Sequence, residues 1–138
     1  MDTYILDIDP DPKLVPTARM FAATVARQLG APEESVLDLK IAVSEACTNA
    51  VQAHQEHGVG SPVRVRVEEE DTALLYEVED SGEGIAVVPE EPPEVFRKAI
   101  EDSRDQQGMG LALIRALFPQ AEFTPQGSGT VVRFRLGR

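Results

Sequence analysis

The chain has 138 residues, 42% hydrophobic and 5% aromatic, enough for one buried core and too few for a second catalytic lobe. Its 24 acidic residues against 13 basic ones leave a net charge of −11, which speaks against direct nucleic-acid binding, since phosphate contacts need clustered Lys and Arg. No run of about 18 apolar residues exists, and the opening MDTYILDIDPDP lacks the basic and apolar segments of a secretion signal, so a cytoplasmic protein without membrane spans is expected.

TYILDI alternates and predicts a short first strand, stopped by the Pro-rich DPDP. From Leu14 to Leu29, the set Leu14, Ala18, Phe21, Ala22, Val25 and Leu29 falls at helical spacing, with Gly30 and Pro32 as the stop. The other side of this helix carries Met20, Ala23 and Arg27, with Arg19 on its flank. That side is poor in charge for a solvated face, so it reads either as plain surface or as a protein-docking surface whose arginines meet an acidic group.

A second helix is predicted from about Glu33 to Gln55, with Val36, Leu39, Val43, Ala46, Cys47 and Ala50 as its buried stripe. Cys47, the one cysteine, reads as core packing. His54 and His57 lack a third ligand nearby and read as surface histidines at the helix end, not a metal pair. Gly58, Gly60 and Pro62 end the helix.

VRVRVEEE and ALLYEVED then alternate around the turn-like EEDT, an antiparallel pair. Val63, Val65 and Val67 share one face of the first, and Leu74, Tyr76 and Val78 one face of the second. Residues 86–107 are rich in proline and acid and read as a lid or a surface insertion, with a short helical segment near Glu94 to Asp102. Gly108 is expected to open a third helix through GMGLALIRALF, and GSGTVVRFRLGR to form a Gly-rich turn and a last strand. The expected fold is α+β: a two-layer sandwich over residues 1–138, with helices on one face of a mixed, mostly antiparallel sheet. The other sheet face would carry Arg64, Arg66, Arg133 and Arg135.

Strand parity sharpens the reading of VEDSGEGI. Leu74, Tyr76 and Val78 point inward, and Asp80 continues that series towards the helices. A carboxylate there must find donors. Val132, Phe134 and Leu136 face inward on the last strand, with Thr130 in phase at its start. Two polar groups thus enter one apolar layer, an arrangement that fits an adenine base donating its exocyclic amine to Asp80. The plainer alternative is a turn aspartate bonding the Gly82 backbone.

QGMG puts Gly108 and Gly110 at a helix start, where free N–H groups attract phosphate. In SEACTNAV, Glu45 and Asn49 lie four apart and project from one helix side, either as a solvated face or as a base and a Mg²⁺-binding amide.

Together these motifs resemble the GHKL (Bergerat-fold, histidine-kinase-like) ATPases. E-A-C-T-N-A is similar to the N box (45–49), D-S-G-E-G to the first glycine box (80–84), and G-M-G-L (108–110) with the later G-T to the second glycine box and terminal threonine. Order and spacing look most like the small anti-sigma-factor serine-protein kinases, from the first strand to Leu136. The family often carries a histidine four residues after the N-box asparagine; here Ala53 holds that position and His54 follows.

The resemblance implies ATP and Mg²⁺ as cofactors. Asn49 would hold Mg²⁺, Asp80 the adenine amine, and Gly82 and Gly84 the turn beneath the base. Gly108, Met109 and Gly110 would line the phosphates, Thr130 would approach the adenine, and Glu45 would act as general base. It further implies a homodimer that sequesters a sigma factor and phosphorylates a serine or threonine on a small anti-anti-sigma partner. The alternative is an ATP-sensing protein-binding module without phosphotransfer. A histidine kinase's catalytic half fits the boxes, but its phosphoacceptor hairpin finds no room in 138 residues.

Overall fold

The computed structural model describes residues 1–82 and 106–138, with Gln106–Met109 described by backbone alone. β1 (Thr3–Ile8) leads through a 3-10 turn (Pro12–Leu14) to α1 (Val15–Gln28) and α2 (Glu33–Glu56). β2 (Val63–Glu69), β3 (Ala73–Asp80), α3 (Gln106–Leu117), β4 (Glu122–Gln126) and β5 (Gly129–Gly137) complete the described elements. Gly84, most of the expected lid 86–107 and the expected helical segment near Glu94 lie outside the described residues.

Local chemistry sets the helix ends. Asp11 accepts the Lys13 N–H at 2.9 Å just before Pro12, satisfying a donor that the first turn would otherwise leave free. Glu33 and Glu34 sit in the first turn of α2, where the helix dipole favours negative charge. Gly58 follows its end at φ 65°, a conformation that costs other residues energy.

The strands form one sheet in the order β1-β2-β3-β5-β4. The two-layer α+β architecture is as expected, and the pairings among the described residues are antiparallel. β4 was not foreseen. It contributes Phe123 alone to the core, and Pro125 is tolerated because β4 is an edge strand that need not donate from that position. Gly127, at φ 59°, lets the chain reverse into β5 in a two-residue hairpin.

The helices cover one sheet face. α1 lies on β1 and β2, α2 on β3 and β5, and α3 on α2. The predicted inward residues Val63, Val65, Val67, Leu74, Tyr76, Val78, Val132, Phe134 and Leu136 are all buried. Tyr76 stacks on Phe134 at 5.7 Å, and its hydroxyl donates to the Ala22 carbonyl at 2.9 Å. Left unpaired there, that hydroxyl would cost about 1–3 kcal/mol, so the bond fixes where α1 rests on the sheet. Cys47 is core packing as expected, its thiol pushed up to about 12 by burial.

On the outer face, the four expected arginines meet carboxylates. Arg64 pairs with Asp7 at 2.9 Å and Arg135 with Glu70 at 3.0 Å, while Arg66 and Arg133 share Glu77 at 3.5 and 2.9 Å. Cross-strand neutralisation leaves this face without the concentrated positive charge that a polyanion needs. No helix among the described residues is long and apolar enough to cross a membrane.

Candidate functional site

Glu45 and Asn49 stand one turn apart on α2, both half-buried, and α3 crosses them at Gly110. A Cβ on Gly110 would lie 2.8 Å from Glu45 Oε2 and 3.4 Å from Asn49 Nδ2. Glycine is thus what lets α3 approach both side chains this closely. Asn49 Nδ2 is buried with no hydrogen-bond partner among the described residues. Burial raises the Glu45 carboxyl above its ordinary value, which makes the carboxylate a stronger proton acceptor. A carboxylate and an amide are oxygen donors of the kind a hard cation takes. Among the described residues, no group of three or more His, Cys, Asp or Glu could hold a metal by itself.

Gly108 and Met109 precede Gly110 on α3, whose backbone is already helical at Gln106, two residues before the expected start.

Asp80 is the cross-strand partner of Thr130, which is buried. Its Oδ1 accepts the Gly82 N–H at 3.0 Å, so the turn bond and the inward aim foreseen as alternatives coexist. Burial raises the Asp80 carboxyl; the backbone hydrogen bonds from Gly82 and Thr130 act in the opposite direction. Gly82 presses on α2: a Cβ there would stand 2.9 Å from Ala53 Cβ and 3.0 Å from the Ala53 carbonyl carbon.

One face of α2 organises all of this. Glu45, Asn49 and Ala53 follow each other at successive turns, about 12 Å from first to last along the axis. Gly110 covers the first two and Gly82 the third. The glycine-bearing segments therefore meet a single helix, which joins the Asp80 end of the cradle to the Glu45 end.

Two sequence expectations need correction. His54 is fully buried, not a surface residue; its Nδ1 lies 2.9 Å from the Ser61 carbonyl, and its Nε2 accepts the Ser81 N–H at 2.8 Å. Its phase, seven residues after Cys47, continues the buried stripe and was the available signal.

Ala23 is also buried, because α1 packs on both α2 and the sheet and so has a wider covered face than one stripe. It leaves the docking surface on which it was expected. Of the rest of that surface, Met20 is 67% exposed, Arg27 is bound to Glu33 at 2.7 Å, and Arg19 donates to Ser44 Oγ at 3.3 Å.

Gly129 and Ser128 were not singled out. A Cβ on Gly129 would collide with the Asp80 carbonyl oxygen, and Ser128 Oγ donates to the Ser81 carbonyl at 3.2 Å.

Residues 8–136 match the family model described as the histidine kinase-like ATPase domain. An anti-sigma F factor of Pasteuria penetrans is 40% identical over 121 residues, covering 83% of this chain and 77% of its own. A serine-protein kinase RsbW of Bacillus pumilus is 32% identical over 136 residues, covering 95% and 83%. Among solved structures, one of the RsbU and RsbW domains of a Mycobacterium tuberculosis protein has a TM-score of 0.69 at 18% identity, over 100% of this chain and 33% of that one. One of the SiaB–SiaC complex from Pseudomonas aeruginosa also has a TM-score of 0.69, at 14% identity over 96% and 88%. These structures share the fold, and the family match runs through every element that builds the cradle. The chain belongs to the histidine kinase-like ATPase domain family.

Proposed function

We propose that this chain is an ATP-dependent serine-protein kinase that also acts as an anti-sigma factor. In this reading it binds Mg-ATP between α2, α3 and the β3 turn, and transfers phosphate to a serine or threonine on a small anti-anti-sigma partner. The observation that carries the reading is the close approach of Gly110 to Glu45 and Asn49, which gathers a base and an amide against the glycine-bearing start of α3.

The cradle suits ATP and Mg²⁺. Among the described residues Asn49 Nδ2 has no hydrogen-bond partner, so offering the amide oxygen to a cation would break no bond of that nitrogen. Bound Mg²⁺ would neutralise charge on the phosphates during transfer.

Each residue then has a task. Asp80 accepts the adenine amine while Thr130, its strand partner, closes the same patch, and Gly82 and Gly84 form the turn beneath the base. Gly108, Met109 and Gly110 line the phosphates. Glu45, raised by burial, accepts the proton of the attacking hydroxyl.

Relatives named anti-sigma F factor and serine-protein kinase RsbW support the partner assignment. The exposed Met20, with Arg19 and Arg27 beside it on α1, is the surface offered to that partner or to the sigma factor, and the family resemblance makes the working unit a homodimer. Incubation with Mg-ATP and a candidate partner is expected to yield a phosphoserine or phosphothreonine on the partner. Stable capture of the partner with no phosphoprotein after long incubation would instead make the chain an ATP-sensing binding module.

A further inference from the structure

His54 lies in the last turn of α2, fully buried, with both ring nitrogens engaged. A carbonyl can only accept, so Nδ1, 2.9 Å from the Ser61 oxygen, must carry the hydrogen. A backbone N–H can only donate, so Nε2, 2.8 Å from the Ser81 nitrogen, must be bare. The two partners together select one neutral tautomer.

Ser81 is the residue between Asp80 and Gly82. Its N–H belongs to the peptide plane that leads from Asp80 towards Gly82, and turning that plane moves the Gly82 N–H that holds Asp80 Oδ1 at 3.0 Å. His54 holds the plane from α2, Ser128 Oγ holds the Ser81 carbonyl at 3.2 Å, and Gly82 rests on Ala53. The turn is thus tied to the same helix that carries Glu45 and Asn49.

We propose that His54 is a positioning residue for the Asp80 carboxylate: its Nε2, by accepting the Ser81 N–H, aims Asp80 at the 6-amino group of the purine and so sets selectivity for adenine. This rests on the reading of Asp80 as the adenine acceptor. The ring need not touch nucleotide. A purely structural histidine would support stability alone, whereas this one governs which base is bound.

Two substitutions separate the nitrogens. His54→Gln offers an acceptor near the Nε2 position and keeps the Ser81 bond. His54→Asn offers a donor near Nδ1 and keeps the Ser61 bond while losing Ser81. Affinities for ATP and for ITP, which lacks the 6-amino group, are measured by calorimetry beside thermal unfolding.

His54→Asn is expected to lose roughly three- to tenfold in ATP affinity, the worth of one buried hydrogen bond, and to lose the preference for ATP over ITP by the same factor. His54→Gln is expected to stay within about twofold of the parent on both counts, whatever its melting temperature. If His54→Asn does not fold, His54→Gln carries the test, and a lost ATP preference in that variant overturns the proposal. So does an unchanged ATP-to-ITP preference in His54→Asn. Asp80→Asn is the control: parental ATP affinity there overturns the Asp80 reading itself, while weakened affinity there with an unaltered His54→Asn overturns the role of His54 alone.

Discussion

Asp80 and Thr130 stand opposite each other at the end of the β3–β5 ladder, so two strand ends deliver a carboxylate and a hydroxyl to one patch of the helix layer. Burial raises the Asp80 carboxyl, so the folded chain binds that proton more tightly than the unfolded chain does. The ionised group therefore costs stability at neutral pH, and the cost is relieved as pH falls through the raised value. Asp80→Asn is expected to leave the melting temperature unchanged or higher at pH 7 while weakening ATP binding about 10- to 100-fold, the range for a hydrogen bond to a charged group. Calorimetry and thermal unfolding check both halves. A large loss of stability with normal ATP affinity would mean that Asp80 serves the turn only.

Glu45 is raised by the same cause and on the proposed mechanism must be ionised to take the hydroxyl proton. The rate of phosphoryl transfer is expected to fall as pH drops through a value above the ordinary glutamate range, since protonation removes the base. Glu45→Gln is expected to slow transfer about 100-fold or more, with ATP affinity nearly unchanged and that acid limb absent. A quench-flow pH series with both proteins decides it, and an unchanged rate in the variant removes Glu45 from the mechanism.

Gly110→Ala separates positioning from folding. The atom that a new Cβ would strike, Glu45 Oε2, is the far end of a flexible side chain and can swing away. The helix meanwhile gains from alanine, about 0.5–1 kcal/mol in an interior position. Equal or higher thermal stability is expected together with a transfer rate down roughly 100-fold, because a base displaced by an ångström is out of reach. Parental activity in this variant would show that the Gly110 approach is a packing detail.

Much of this site was legible in sequence because it follows from period. Strand parity aims Asp80 inward and helical spacing puts Glu45 and Asn49 on one side of α2, while the roles proposed for them come from the family resemblance. Both patterns depend on neighbours along the chain. The buried stripe of α2 was read the same way. What escaped depends on contacts between segments far apart in sequence. Ala23 is covered by a second neighbour that a single-stripe reading leaves out, His54 is buried by the loop and the turn that close over the end of α2, and β4 exposes nearly all of its side chains and carries a proline. The tight approaches of Gly82, Gly110 and Gly129 belong to the same group: a glycine in sequence announces a permissive backbone, not the atom that lies against it.

Gly129 gives the sharpest test of that distinction. A Cβ there would overlap the Asp80 carbonyl oxygen, which is backbone in a paired strand and cannot swing aside as a side chain can. Gly129→Ala must therefore push β3 and β5 apart where Asp80 faces Thr130, losing ladder bonds as well as packing. A loss of about 3 kcal/mol is expected, the upper range for overpacking, which for a domain of this size is roughly 10 °C in melting temperature. Gly137→Ala on the same strand is the control, since a Cβ there meets nothing within 4 Å, and it is expected to change stability by no more than about 0.5 kcal/mol. Because the strand ends carry the proposed adenine contacts, Gly129→Ala is also expected to lose measurable ATP binding below its own melting temperature, while Gly137→Ala keeps it. Equal behaviour of the two variants would mean that the close approach at Asp80 does not shape the site.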